Sequence, residues 1–198
     1  MRKQITRRAA LVGILGTTGA MSGFFGQTEF TLDQLSIEEV SPPIGLSGRI
    51  GDPTVYVHSP GILEFTIENI GEETIECYNR GIAPFGALHI HNPNHPSGGR
   101  LLMNGKYEES DAIQLGNGSI GVDREVERVS TVLDPGESIT EAYEISGDDI
   151  YRDGIHEVVN RWSPFLSYRV GSRDSVEEID PDITVMVETR SMIPPIFG

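Results

Sequence analysis

The chain has 198 residues, enough for one domain and a targeting segment. Thirty acidic residues against fifteen basic ones give a formal charge of −15, which disfavours nucleic acid and anionic lipid as partners. The single cysteine, Cys77, excludes an intramolecular disulfide and any cysteine-rich metal centre, and reads as a small buried hydrophobe.

Hydrophobic residues make up 37% of the chain and charged residues 23%, a globular composition. The 23 glycines and 12 prolines point to many turns and short strands. Arg2, Lys3, Arg7 and Arg8 precede any acid, so loss of the N-terminal segment takes the formal charge from −15 to −19. Only two lysines occur, Lys3 and Lys106. Excess Asp and Glu with almost no Lys resembles the proteins of salt-loving archaea, in which molar salt screens the self-repulsion of the fold.

The first predicted element is a signal segment over residues 1–26. A charged start with Arg7-Arg8 precedes an apolar run from Ala9 to about Phe25. The run is diluted by Gly13, Gly16, Gly19 and Gly23, which makes a stable membrane span unfavourable. This layout resembles a twin-arginine signal and implies export of a folded chain, with cleavage between Ala20 and Gly26. Uncleaved, the segment would be the chain's only attachment to a membrane. Residues 27–53, with Ser41-Pro-Pro-Ile-Gly, read as a linker and entry segment, and 54–198 as the folded domain.

Within that domain apolar residues recur with period two, the signature of half-buried strands. Leu63, Phe65 and Ile67 alternate with Glu64, Thr66 and Glu68, and Asn69-Ile-Gly71-Glu supplies a turn. Strands are predicted next at 74–78, 87–91, 100–103 and 129–133, the last closed by the turn Asp134-Pro-Gly136-Glu. Residues 138–145, 166–170 and 183–187 alternate again. In 149–162, Ile155, Val158, Val159 and Trp162 fall at helical spacing and predict one short helix capped by Asp148 or Asp149. Residues 108–128 read as a long insertion. The sum is an all-β fold, an immunoglobulin-like antiparallel β-sandwich of about eight strands with one short helix.

Several parts carry a family resemblance. Leu63-Glu-Phe-Thr-Ile-Glu-Asn69-Ile-Gly71-Glu is similar to the strand, Asn, x, Gly hairpin of immunoglobulin-like export modules. Leu133-Asp-Pro-Gly-Glu-Ser138, Pro84-Phe-Gly86 and Arg100-Leu-Leu-Met resemble a haloarchaeal family of uncharacterised secreted domains. The order of parts is also similar to the intracellular proteinase inhibitor family. The resemblance covers roughly residues 54–190 and implies a fold; it carries over no catalytic or inhibitory residue.

One cluster has ligand-like spacing. His89 and His91 project from one face of a predicted strand, and a loop through Pro93 brings His95 near them. Three imidazoles suit zinc or copper, with Met103 or an acid from another loop as a fourth ligand; a solvated loop is the plainer reading. A blue-copper centre is excluded, because Cys77 precedes His89 by 12 positions and no His accompanies Met186 or Met192. There is no Gly-x-Ser-x-Gly and no Ser in a His–Asp context. Asp174, Glu177, Glu178, Asp180 and Asp182 crowd oxygen ligands without the EF-hand spacing. Trp162, Phe165 and Tyr168 read as core rather than as a sugar platform. Asn117-Gly-Ser119 satisfies the glycan acceptor pattern. The expectation is a non-enzymatic, exported binding or structural module whose partner is a protein at the cell surface. The alternatives are a metal-binding exported protein through His89, His91 and His95, and a proteinase-inhibitor-like module.

Overall fold

The computed structural model describes residues 29–56, 59–95, 99–115, 120–123, 125–147, 150 and 152–190. Arg7 and Arg8, read as a signal pair, and Asn117, read as a glycan acceptor, lie outside them. The fold is all-β and sandwich-like. Its strands are β1 Glu29–Ile37, β2 Ile44–Asp52, β3 Thr54–Val55, β4 Gly61–Asn69, β5 Ile75–Asn79, β6 Leu88–His91, β7 Arg100–Leu101, β8 Ile113–Leu115, β9 Ile120–Val122, β10 Val129–Leu133, β11 Ser138–Ile145, β12 Gly154–Asn160, β13 Leu166–Val170, β14 Glu177–Ile179 and β15 Ile183–Arg190. A 3₁₀ turn, Gly105–Glu109, is capped by the Asn104 side chain.

All pairings are antiparallel. A six-stranded sheet runs β3-β1-β15-β12-β6-β7, a four-stranded sheet β10-β5-β13-β14 and a three-stranded sheet β11-β4-β2, with β8-β9 as a separate hairpin. The three larger sheets share one core. Leu63, Phe65 and Ile67 of β4 are fully buried, as alternation requires, and meet Ile75 and Cys77 of β5, Ile90 of β6 and Val185 of β15 in the same cluster. At its centre Phe65 makes edge contacts with Phe85, Tyr143 and Phe165 at centroid separations of 6.1, 6.0 and 5.9 Å.

Three sequence expectations are corrected. The segment 27–53 is no linker: β1 and β2 lie in it and complete two sheets. Its pattern is disguised because β1 carries a register shift between Leu32 and Gln34, so the inward set passes from Phe30 and Leu32 to Leu35 and Ile37. The glycines of β2 have a packing cause. A Cβ on Gly48 would stand 2.8 Å from Ile37 Cδ1 and 2.9 Å from Leu35 Cδ2, so β1 reaches β2 only across a bare backbone. The predicted helix in 149–162 is instead β12, a central strand between β15 and β6. Its buried face presents His156 and Val158 while Ile155 stands half-exposed on the other, so apolar residues fall on both faces and imitate helical spacing. The 108–128 insertion contains the β8-β9 hairpin.

Asn69, at the end of β4, fixes where strands change sheet. Its Nδ2 donates to the carbonyls of Glu73 and Leu133, both at 2.9 Å, and its Oδ1 accepts from Gly71 N at 3.0 Å. Its backbone N–H donates to Glu137 O and its carbonyl accepts from Gly136 N. The β4–β5 and β10–β11 turns are thereby joined through one fully buried amide. Asn69→Ala removes the donor to the buried Leu133 carbonyl and to the partly buried Glu73 carbonyl and is expected to cost on the order of 3 kcal/mol. Arg49→Ala, which removes a surface ion pair with Glu64, is expected to cost less than about 1 kcal/mol. Urea unfolding in molar salt measures both; equal effects would refute the role given to Asn69.

Candidate functional site

The histidine cluster rests on adjacent strands. β6 pairs with β12 so that His89 stands opposite Val159 and His91 opposite Glu157, placing the two imidazoles and the Glu157 carboxylate on one sheet face. His91 Nε2 lies 3.2 Å from Glu157 Oε2, an ion pair when the ring is protonated. His89 is 7% exposed and packs on Trp162 at a centroid separation of 4.4 Å. Burial, then the charge of Arg161, pushes its pKa down to about 4. Gly99 lies beside His91, where a Cβ would stand 3.3 Å from His91 Cβ and would displace the Arg161 guanidinium.

The structure brings together His89 and His91 but not the predicted triad. His95 is exposed on the turn after β6, where its N–H donates to Asn92 O and Asn92 Oδ1 accepts from Asn94 N. Met103, considered as a fourth ligand, pairs instead with Glu144 of β11. Among the described residues no group of three or more His, Cys, Asp or Glu side chains is placed to hold a metal ion. Sequence reasoning missed Glu157, Arg161 and Trp162 as neighbours of the cluster, because they were assigned to a helix. A fourth histidine, His156, is buried on the opposite face of β12, and burial lowers its pKa.

The other candidates are structural. Cys77 is fully buried and its thiol pKa is pushed up to about 12 by desolvation. Phe165 and Tyr168 are core residues, and Trp162 packs against that core. Of the acidic group near β14, Asp180 Oδ1 accepts from Phe165 N, Glu177 accepts from Tyr168 Oη at 2.6 Å and Glu178 faces Arg128 at 3.9 Å. These carboxylates close a hairpin. A cleft of about 270 Å³ beside them is lined by Glu38, Glu39 and Asp180, and its charge disfavours anionic ligands.

The neutral state of His89 makes stability depend on pH. Its folded pKa of about 4 lies below the ordinary 6.5, so the unfolded chain takes the proton first as pH falls. The contribution is complete above pH 6.5 and is lost progressively toward pH 4. The expected loss is on the order of 3 kcal/mol. His89→Gln should remove that part of the slope while the carboxylates titrate alike in both proteins. Parallel stability curves for the two from pH 7 to pH 4 would contradict the buried neutral imidazole.

Comparison of the chain with curated proteins and with solved structures finds no match. Residues 5–195 match a family described as a domain of unknown function, DUF8130. The match spans Arg7 and Arg8, the two strands read as linker and the whole of the core, so the chain belongs to that family.

Proposed function

We propose that the protein is an exported surface module, immunoglobulin-like in architecture and haloarchaeal in origin, that acts by non-covalent contact rather than by catalysis. The observation that carries this reading is where its reactive side chains are spent. Cys77 is sealed in the core with a raised thiol pKa, His89 is neutral against Trp162, and Tyr107 and Tyr143 are buried with raised pKa values. Each holds the protonation state that packing requires and that a nucleophile or a general acid would have to leave. The exposed surface is left to carboxylates and strand edges, which suit contact with another macromolecule. The export half of the reading rests on Arg7, Arg8 and the diluted apolar run.

Export is tested by fractionating a host with twin-arginine machinery. The wild-type chain is expected outside the cytoplasm, and the Arg7→Lys/Arg8→Lys chain within it. Equal export of both would remove the twin-arginine route. The salt adaptation is tested by circular dichroism: the fold is expected to melt on dialysis from molar to millimolar salt. Retention of one equivalent of zinc or copper by the purified protein, abolished by His89→Ala/His91→Ala, would replace the contact reading with a metal-binding one.

A further inference from the structure

β10 is an edge strand without the usual protection. It is the first strand of the four-stranded sheet and pairs only with β5, in an unbroken register from Val129–Asn79 to Leu133–Ile75. Its sequence is Val-Ser-Thr-Val-Leu, with no charge and no proline. Val129 is 40% and Val132 56% exposed. An open groove of about 320 Å³ lies along it, between β10, the turn 81–83, Ile139 of β11 and the charged Lys106 and Glu109 of the 3₁₀ turn.

The other edges of the larger sheets are blunted in recognised ways. β3 and β7 are two residues long. β14 is short and opens with Glu177-Glu178. β2 carries a charge at Arg49 and a register shift before Asp52. β11 carries Glu141 and Glu144, and Met103 already pairs with the latter. A five-residue neutral edge is therefore an exception in a chain with 30 acidic residues.

The charges that flank β10 indicate what fits it. Arg128 precedes the strand and Asp134 follows it. If a second β10 runs antiparallel about a two-fold axis at Thr131, Arg128 of each copy falls opposite Asp134 of the other. Val129 then meets Leu133 and Ser130 meets Val132, so the neutral stretch pairs only with itself. Both flanking groups have capacity for this. Among the described residues Arg128 pairs with Glu178 at 3.9 Å, and Asp134 uses Oδ1 for Thr74. We propose that β10 is the docking edge for a second copy of this chain, joining two four-stranded sheets into one continuous sheet. The proposal concerns self-association and stands apart from the export reading. Net charge opposes it, so it belongs to the molar-salt regime in which repulsion is screened.

The test is cross-linking by register, with the full chain in molar salt. Thr131→Cys places two thiols on the axis, directly opposite each other. Val129→Cys places them four residues out of register, roughly 13 Å apart along the strands. Both are made in a Cys77→Ala chain, because Cys77 stands opposite Thr131 in β5 and its thiol would compete for the new one. Mild oxidation is expected to link Thr131→Cys into a covalent dimer and to leave Val129→Cys largely unlinked. Sedimentation equilibrium at about 100 μM should show the wild type as a dimer, and Val132→Lys, on the exposed outer face, should weaken association at least about tenfold while matching the wild-type melting temperature at dilutions where both are monomeric. A monomeric wild type at that concentration would overturn the proposal. So would a dimer indifferent to Val132→Lys, or one that links equally through position 129.

Discussion

The buried amide of Asn69 is the constraint on which the arrangement of sheets depends. A sandwich must pass its chain between layers, and each passage strips backbone groups of their ladder partners. Here two passages, β4 to β5 and β10 to β11, run between the three-stranded and four-stranded sheets at the same end of the core. One side chain with two donors serves both, because Glu73 O and Leu133 O each need one. A hydroxyl has a single donor and a carboxylate has none, so neither could replace it. The turns themselves are tuned to this amide: Gly136 takes a φ of +82° and its N–H returns to Asn69 O.

The far end of β5 repeats the solution with a second buried asparagine. Asn79 Nδ2 donates to Pro84 O and Phe165 O, and its Oδ1 accepts from Arg80 N at 2.8 Å and Ser163 Oγ at 2.6 Å. Asn160, at the end of β12, adds a bond to Phe85 O. The turn 82–86 is thereby bound to the six-stranded and four-stranded sheets together. Gly86 has no alternative there, since its φ is +69° and a Cβ would lie 2.4 Å from Asn79 Oδ1. Tyr143 from the third sheet donates to the carbonyl of the same glycine at 3.0 Å. β5 is thus bracketed by two polar knots with an aromatic cluster beside it. Such fully satisfied networks specify one packing of the layers better than apolar contacts alone.

Legibility of the sequence followed the cleanness of alternation. β11 and β13 have the boundaries that their period-two patterns predict, because one face is apolar, and β10 has the end that its glycine-containing turn predicts. β1 failed through one extra residue, which exchanges the faces in mid-strand. β2 failed because its inward positions include Gly48, whose missing side chain is the point of contact with β1. β12 failed because a buried His156 stands where the pattern demands an apolar residue. The histidine cluster was half legible. Spacing places His89 and His91 on one face, but spacing says nothing of Trp162, which reaches His89 from a turn after another strand. Asn69 was visible only as a turn former; its bonds to Leu133 and Glu137 are long-range and leave no local signature.

Charge then explains what the core does not. Among the described residues the cations with carboxylate partners are spent between strands or across turns: Arg49 on Glu64, Arg128 on Glu178, Arg169 on Glu76, Arg173 on Glu73 and Lys106 on the buried Glu141. Only the last joins a deeply buried acid, and it anchors the 3₁₀ turn to β11. Fifteen basic residues cannot neutralise thirty acids, so most carboxylates remain a solvated, self-repelling shell. A shell of that kind defends strand edges at no cost in packing, because any approaching copy meets like charge. It is also conditional, since salt shortens the reach of each carboxylate to a few ångströms. At molar salt only charges at the edge itself still repel. A strand such as β10, neutral along its length and bounded by one charge of each sign, is then guarded only by local sequence, and its local sequence contains nothing that repels its own copy.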